Sequence, residues 1–217
     1  MTVTLSRHDQ LTALLAMGRV IPVITINRVE DAVPLARALV EGGICLLEIT
    51  LRTPSGLAGA EAIIRQVPEA VVGIGTILTP DDMKRAVDMG ARFALSPGAT
   101  PALLNAASAV SIPFLPGVAT ASELMEAIVR GFDTVKFFPA TAAGGLAALK
   151  ALAGPFPQAR FCPTGGITEN NASEWLAQPN VIAVGGSWLT PAAEIAAGQW
   201  DVIRERAART RAGLEGA

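Results

Sequence analysis

Tyrosine is absent from this 217-residue chain, histidine occurs once, at His8, and cysteine twice, at Cys45 and Cys162. Two distant cysteines support neither a disulfide framework nor a four-ligand zinc site, and they read as small buried apolar residues in a reducing compartment. A lone His8 in a polar N-terminal stretch leaves no basis for histidine-ligated metal catalysis or a Ser-His-Asp triad. Charge is scarce too: 17% of residues are charged and the net charge is −2. That is below the usual ~25%, which argues for a large buried fraction. No run of Lys and Arg supplies the electrostatic footprint of a nucleic-acid binder. Long hydrophobic runs are missing as well. The segment from Phe93 to Ser122 carries no charge, but Pro97, Pro101, Asn105, Pro113 and Pro116 interrupt it. No apolar helix of the roughly 18 residues needed to cross a membrane fits there. The opening MTVTLSRHDQLTALLAMGR lacks the sustained apolar core of a signal peptide. A soluble, cytoplasmic protein is expected.

What is present is a repeated alternation. Short runs rich in Val, Ile and Phe occur at Val20–Ile26, Leu46–Thr50, Val71–Thr76, Phe93–Ser96, Ile112–Pro116, Thr134–Phe138, Arg160–Pro163 and Val181–Val184. Between them lie helical patterns such as Val29–Glu41, Thr79–Asp88, Ala121–Arg130 and Gly145–Ala153. The runs are continuously apolar rather than alternating, so both faces of each strand are covered, as in a parallel sheet. Eight such units, at roughly 20- to 27-residue spacing, fit an α/β fold of the eight-stranded parallel (β/α)8 barrel type better than a doubly wound sheet. Thr79-Pro80-Asp81-Asp82 places an N-cap, a first-turn proline and first-turn acids in order. An extra N-terminal helix precedes the first strand and a final helix covers Trp200–Ala212. No linker divides the chain, so residues 1–217 form one expected domain.

Charged residues inside such strands are the informative exceptions, because a buried charge needs a partner or a task. Lys136 shares one side of its strand with Thr134 and Phe138. It is either half of a structural ion pair or a buried amine, and burial disfavours the ammonium form, leaving a nucleophile for a carbonyl carbon. Glu48, Thr50 and Arg52 share one parity. Glu48 either neutralises Lys136 or Arg52, or acts as a general acid and base beside the lysine. Arg52 either forms a surface salt bridge or clamps a substrate carboxylate in bidentate fashion. Thr76 ends Gly73-Ile74-Gly75-Thr76, where the third glycine of a dinucleotide fingerprint is missing. Its hydroxyl caps the strand end or binds a carboxylate beside Arg52. The pairs Gly165-Gly166 and Gly185-Gly186, the second followed by Ser187, sit where barrels bind phosphate through backbone N–H groups.

The segments GGICLLEITLRT and GFDTVKFFPATAAGG, with VGIGTIL, FALSPGAT, AGPFPQARFCPTGGIT and GGSWLTP, resemble the class I 2-keto-3-deoxy-6-phosphogluconate (KDPG) and 4-hydroxy-2-oxoglutarate (KHG) aldolases from Val20 to Pro191. The resemblance implies a Schiff-base lysine at Lys136 and a proton-shuttling glutamate at Glu48. It also implies a carboxylate site at Arg52 and Thr76, pocket walls at Pro97 and Phe138, and phosphate binding at Gly165, Gly166, Gly186 and Ser187. A cytoplasmic homotrimer without metal or organic cofactor, acting on a phosphorylated 2-keto acid, follows from the same resemblance. An aldolase for the galactonate epimer, a phosphosugar isomerase or epimerase, and a non-catalytic phosphosugar binder are the alternatives. The exit of the first strand, Thr25-Ile26-Asn27-Arg28, aligns with no family role, and Thr141-Ala142-Ala143 stands where relatives often carry a more polar loop.

Overall fold

The computed structural model describes residues 7–215. The outer limits of the expected domain, Met1 and Ala217, and most of the polar start lie outside the described residues. The chain alternates helices and strands: α1 (Arg7–Gly18), β1 (Val20–Ile24), α2 (Val29–Glu41), β2 (Leu46–Thr50), α3 (Ser55–Gln66), β3 (Val71–Gly75), α4 (Pro80–Asp88), β4 (Phe93–Leu95), α5 (Pro101–Ala109), β5 (Phe114–Leu115), β6 (Gly117–Val118), α6 (Ala121–Val129), β7 (Thr134–Phe137), α7 (Gly145–Ala153), β8 (Arg160–Pro163), α8 (Ala172–Leu176), β9 (Val184–Gly186), α9 (Ala192–Ala196) and α10 (Trp200–Glu215).

All strand pairings are parallel. A six-stranded sheet runs β5-β4-β3-β2-β1-β9 and a three-stranded one runs β6-β7-β8. The expected strand at Ile112–Pro116 is shorter, Phe114–Leu115, and a second short strand, Gly117–Val118, follows beyond its expected end. Pro116 has no N–H to give to a ladder, so Phe114–Leu115 pairs with β4 and Gly117–Val118 with β7. The expected strand at Val181–Val184 is displaced: Val181 makes only an isolated bridge to Phe161, and Val184–Gly186 pairs with β1. A second bridge joins Thr164 to Gly185.

The two faces of the curled strands bury different sets. Val20, Ile24, Leu47, Ile49, Val72, Ile74, Val135, Phe137 and Phe161 pack outward under the helices. Ile21, Leu46, Phe93, Leu95, Leu115 and Cys162 pack on the concave side, where α1 adds Leu11 and Leu15. The period of two thus assigns Glu48, with Leu46, and Lys136, in register with Cys162, to the concave face. None of the helices among the described residues is long and apolar enough to cross a membrane.

Candidate active site

Glu48 and Lys136 are 1% and 4% exposed, and they meet although 88 residues separate them. Lys136 Nζ donates to Glu48 Oε1 at 2.8 Å and to Oε2 at 3.0 Å. Space for the carboxylate comes from Gly75, where a Cβ would collide with Glu48 Oε1 and Cγ. Gly73 does the same for the Phe93 ring. These glycines make room for side chains of the protein rather than for a ligand's approach. The ion pair weighed as a structural explanation of both residues is therefore present. Stability alone does not account for it, because desolvating two charges offsets much of their attraction and apolar replacements of similar volume are often as stable. Chemically, one proton moved along the 2.8 Å bond yields a neutral amine facing a neutral carboxylic acid.

The rest of the concave end has few competing groups. Cys162 stands opposite Lys136 in the β7–β8 register. Burial, against an opposing effect of Lys136, pushes its thiol up to about 12, so it stays protonated and is a poor nucleophile. The Phe138 ring lies 5.8 Å from Lys136 Nζ. Among the described residues no group of three or more His, Cys, Asp or Glu is arranged to hold a metal ion. The chain's lysines are Lys84, Lys136 and Lys150; Lys84 is an exposed partner of Asp88, and Lys150 is exposed on α7.

A small cavity of about 90 Å³ opens at the strand ends, lined by Val23, Arg52, Phe138, Thr164, Gly165, Gly166, Ile167, Gly186 and Ser187. Six of the expected site residues thus surround one space. Arg52 is exposed there and forms no ion pair among the described residues. Gly165 and Gly166 have φ of 99° and 78°, the left-handed region that favours glycine. Their N–H groups, and that of Ser187, find no acceptor among the described residues. The helices that follow, α8 and α9, begin several residues later, so loop amides rather than helix starts face the cavity. Thr76 and Pro97 do not line it. Thr76 follows Gly75 at φ 63°, unusual for a β-branched residue. Pro97 lies where a Cβ on Gly117, the register partner of Lys136, would strike its backbone.

Thr164 is a buried polar residue of the cavity that the sequence did not single out. It shares strand parity with Cys162, the register partner of Lys136, and that parity was the available signal. A larger cleft elsewhere, of about 330 Å³ beside Arg37, Glu41, Gln66 and Glu69, is lined by no buried nucleophile.

A buried amine paired with a single carboxylate, beside unpaired loop amides at the ends of parallel strands, is the equipment of an α/β enzyme that attacks carbonyl carbon. The sequence profile of the family described as "Aldolase: KDPG and KHG aldolase" matches residues 11–206. The KHG/KDPG aldolase of Escherichia coli strain K12 is 49% identical over 205 residues, covering 94% of this chain and 95% of that protein. Among solved structures, a KDPG aldolase from Legionella pneumophila, with pyruvate captured as a covalent carbinolamine, superposes with a TM-score of 0.90 at 49% identity. It covers 92% of this chain and 97% of its own. That of Zymomonas mobilis ZM4, solved with 3-phosphoglycerate, gives 0.89 at 42% identity, covering 95% of this chain and 97% of its own. The chain belongs to the KDPG and KHG aldolase family.

Proposed function

We propose that this protein is a class I aldolase that cleaves 2-keto-3-deoxy-6-phosphogluconate reversibly to pyruvate and glyceraldehyde 3-phosphate, with Lys136 as the Schiff-base nucleophile and Glu48 as the acid and base. The observation that carries the reading is the buried Lys136–Glu48 pair. Neutral Lys136 adds to the 2-keto carbon, and loss of water leaves a protonated imine that draws electrons from the neighbouring carbons. Glu48 takes the proton of the 4-hydroxyl, the C3–C4 bond breaks, and the aldehyde leaves. The enamine takes a proton back from Glu48 at C3, and hydrolysis of the imine frees pyruvate. One carboxylate acting twice supplies the proton transfers, each worth about 10²–10⁴-fold, and no step calls for a cofactor.

Arg52 and Thr76 bind the carboxylate in this reading, while Pro97 and Phe138 wall the imine. The unpaired N–H groups of Gly165, Gly166 and Ser187 receive the phosphate, with Gly186 at the same cavity. KHG cleavage is a second activity, favoured because the E. coli relative carries both names. The galactonate series is less favoured, since a solved structure of native KDPGal is only 25% identical to this chain.

The two sheets and the bridges at Phe161–Val181 and Thr164–Gly185 support closure into an eight-strand barrel, counting β5 and β6 as one interrupted strand. Residues 1–217 then form one domain. Free Cys45 and Cys162 fit the reducing cytoplasm. A homotrimer would cover exposed apolar residues such as Met125 and Val129, 57% and 82% exposed on α6.

Borohydride reduction with pyruvate, followed by peptide mass mapping, tests the chemistry. A pyruvate-derived adduct is expected on Lys136 and on neither Lys84 nor Lys150. A folded protein without that adduct overturns the Schiff-base mechanism.

A further inference from the structure

The exit of β1 has no role in the mechanism above, and it follows closely on Val23, which lines the same cavity. Arg28 turns away from it, donating through Nε and Nη2 to the two oxygens of Asp31, each at 2.8 Å. Of the two other polar residues, Asn27 is exposed further out and Thr25 lies nearer the buried pair. It stands two positions beyond Val23, which lines the cavity and pairs in register with Glu48. Strand parity therefore puts Thr25 on the concave face, one step nearer solvent than Glu48, and it is half-buried.

Its proton has an acceptor within the protein. Thr50 Oγ1 donates to the Ile24 carbonyl at 2.9 Å, which uses the single proton of that hydroxyl. In the 3.4 Å contact between the two threonine hydroxyls, Thr25 must then be the donor. A chain of hydrogen bonds then runs from Thr25 through Thr50 to backbone, and in this arrangement Thr25 Oγ1 turns its lone pairs outward. Toward the mouth Thr25 is an acceptor, and it selects for a ligand group that donates.

We propose that Thr25 is a specificity-determining residue that accepts a hydrogen bond from the C5 hydroxyl of the phosphorylated substrate, biasing the enzyme toward KDPG over KHG. This rests on the aldolase reading. Glu48 serves the 4-hydroxyl, so the next layer outward meets the following carbon. In KDPG that carbon carries a hydroxyl, which donates. In KHG it is a carboxylate carbon, with nothing to donate to an acceptor.

The test compares Thr25→Val, which keeps the shape and loses the acceptor, with Thr25→Ser, which keeps it. The readout is the ratio of kcat/KM for KDPG to that for KHG, with exchange of pyruvate methyl protons in D2O as the reference for the lysine–glutamate chemistry. Loss of one neutral hydrogen bond is expected to lower the ratio about three- to tenfold in Thr25→Val, with Thr25→Ser close to wild type. An unchanged ratio overturns the proposal, whether both activities hold or both fall together with the exchange rate, as they would if Thr25 merely propped Thr50. Failure of the aldolase reading is seen separately, as absence of pyruvate exchange and of a borohydride-trapped adduct in the wild-type protein.

Discussion

Lys136 and Glu48 hold each other in place, so each can be disturbed only at the expense of the other. Removing either side chain leaves an uncompensated buried charge and confuses loss of chemistry with loss of fold. Gly75 offers a cleaner approach. A methyl group there would occupy the position of the Glu48 carboxylate, while its own backbone needs no left-handed conformation, since Gly75 is not among the positive-φ glycines. Gly75→Ala is expected to lower kcat about 10²-fold, the scale of loss that a displacement near 1 Å brings. The borohydride adduct with pyruvate on Lys136 should persist. Wild-type turnover in Gly75→Ala would show that the position of Glu48 is not critical, and loss of the adduct would show that Lys136 had moved too.

At the scale of elements, local chemistry decides where helices begin. Thr79 Oγ1 accepts from the Asp82 N–H at 3.1 Å, and Asp82 accepts from the Thr79 N–H at 2.9 Å, a reciprocal capping box at the start of α4. Burial alone would push the Asp82 carboxyl up. Bonds from the Thr79 hydroxyl, the Leu78 N–H and Arg85 instead hold it below the ordinary aspartate range. A carboxyl lowered in the folded state stabilises it above the unfolded value, and that stability is lost as pH falls through the folded one. Thr79→Ala is expected to reduce unfolding free energy by about 1 kcal/mol at pH 7. Urea titrations should show the difference shrinking in strong acid, where Asp82 is protonated in either protein; a difference independent of pH would separate the cap from the carboxyl.

Features of this local kind were legible in the sequence. The strands Leu46–Thr50 and Arg160–Pro163 and the helices Val29–Glu41 and Gly145–Ala153 fall on the expected residues, because periodicity and caps act within a few positions. The charged residues Glu48 and Lys136 stood out for the same reason. Their mutual bond was one of two pairings open to Glu48, the other being Arg52, and the split at Pro116 was not legible, since both depend on which strands become neighbours. The hydrogen-bond chain through Thr25 and Thr50 was hidden too, because it joins residues 25 apart.

For the whole molecule, the parallel strands separate two tasks along their length. Glu48, Lys136 and the cavity of Arg52 and Ser187 lie toward the C-terminal strand ends, whereas Leu11 and Leu15 of α1 pack with Ile21, Leu46 and Phe93 nearer the strand starts. In α/β folds with parallel strands, ligands bind at the carboxyl ends of the strands, so packing at the other end is expected to serve stability. Leu15 is fully buried, so Leu15→Ala removes contacts that the surrounding Ile21, Leu46 and Phe93 only partly recover. It is expected to reduce unfolding free energy by about 2–5 kcal/mol, read from denaturant unfolding. Turnover and KM, normalised to folded protein at low temperature, should stay at wild-type values. A rise in KM or a fall in kcat per folded molecule would mean that packing near the strand starts is transmitted to the Lys136–Glu48 pair, and that the concave core is one mechanical unit rather than two layers.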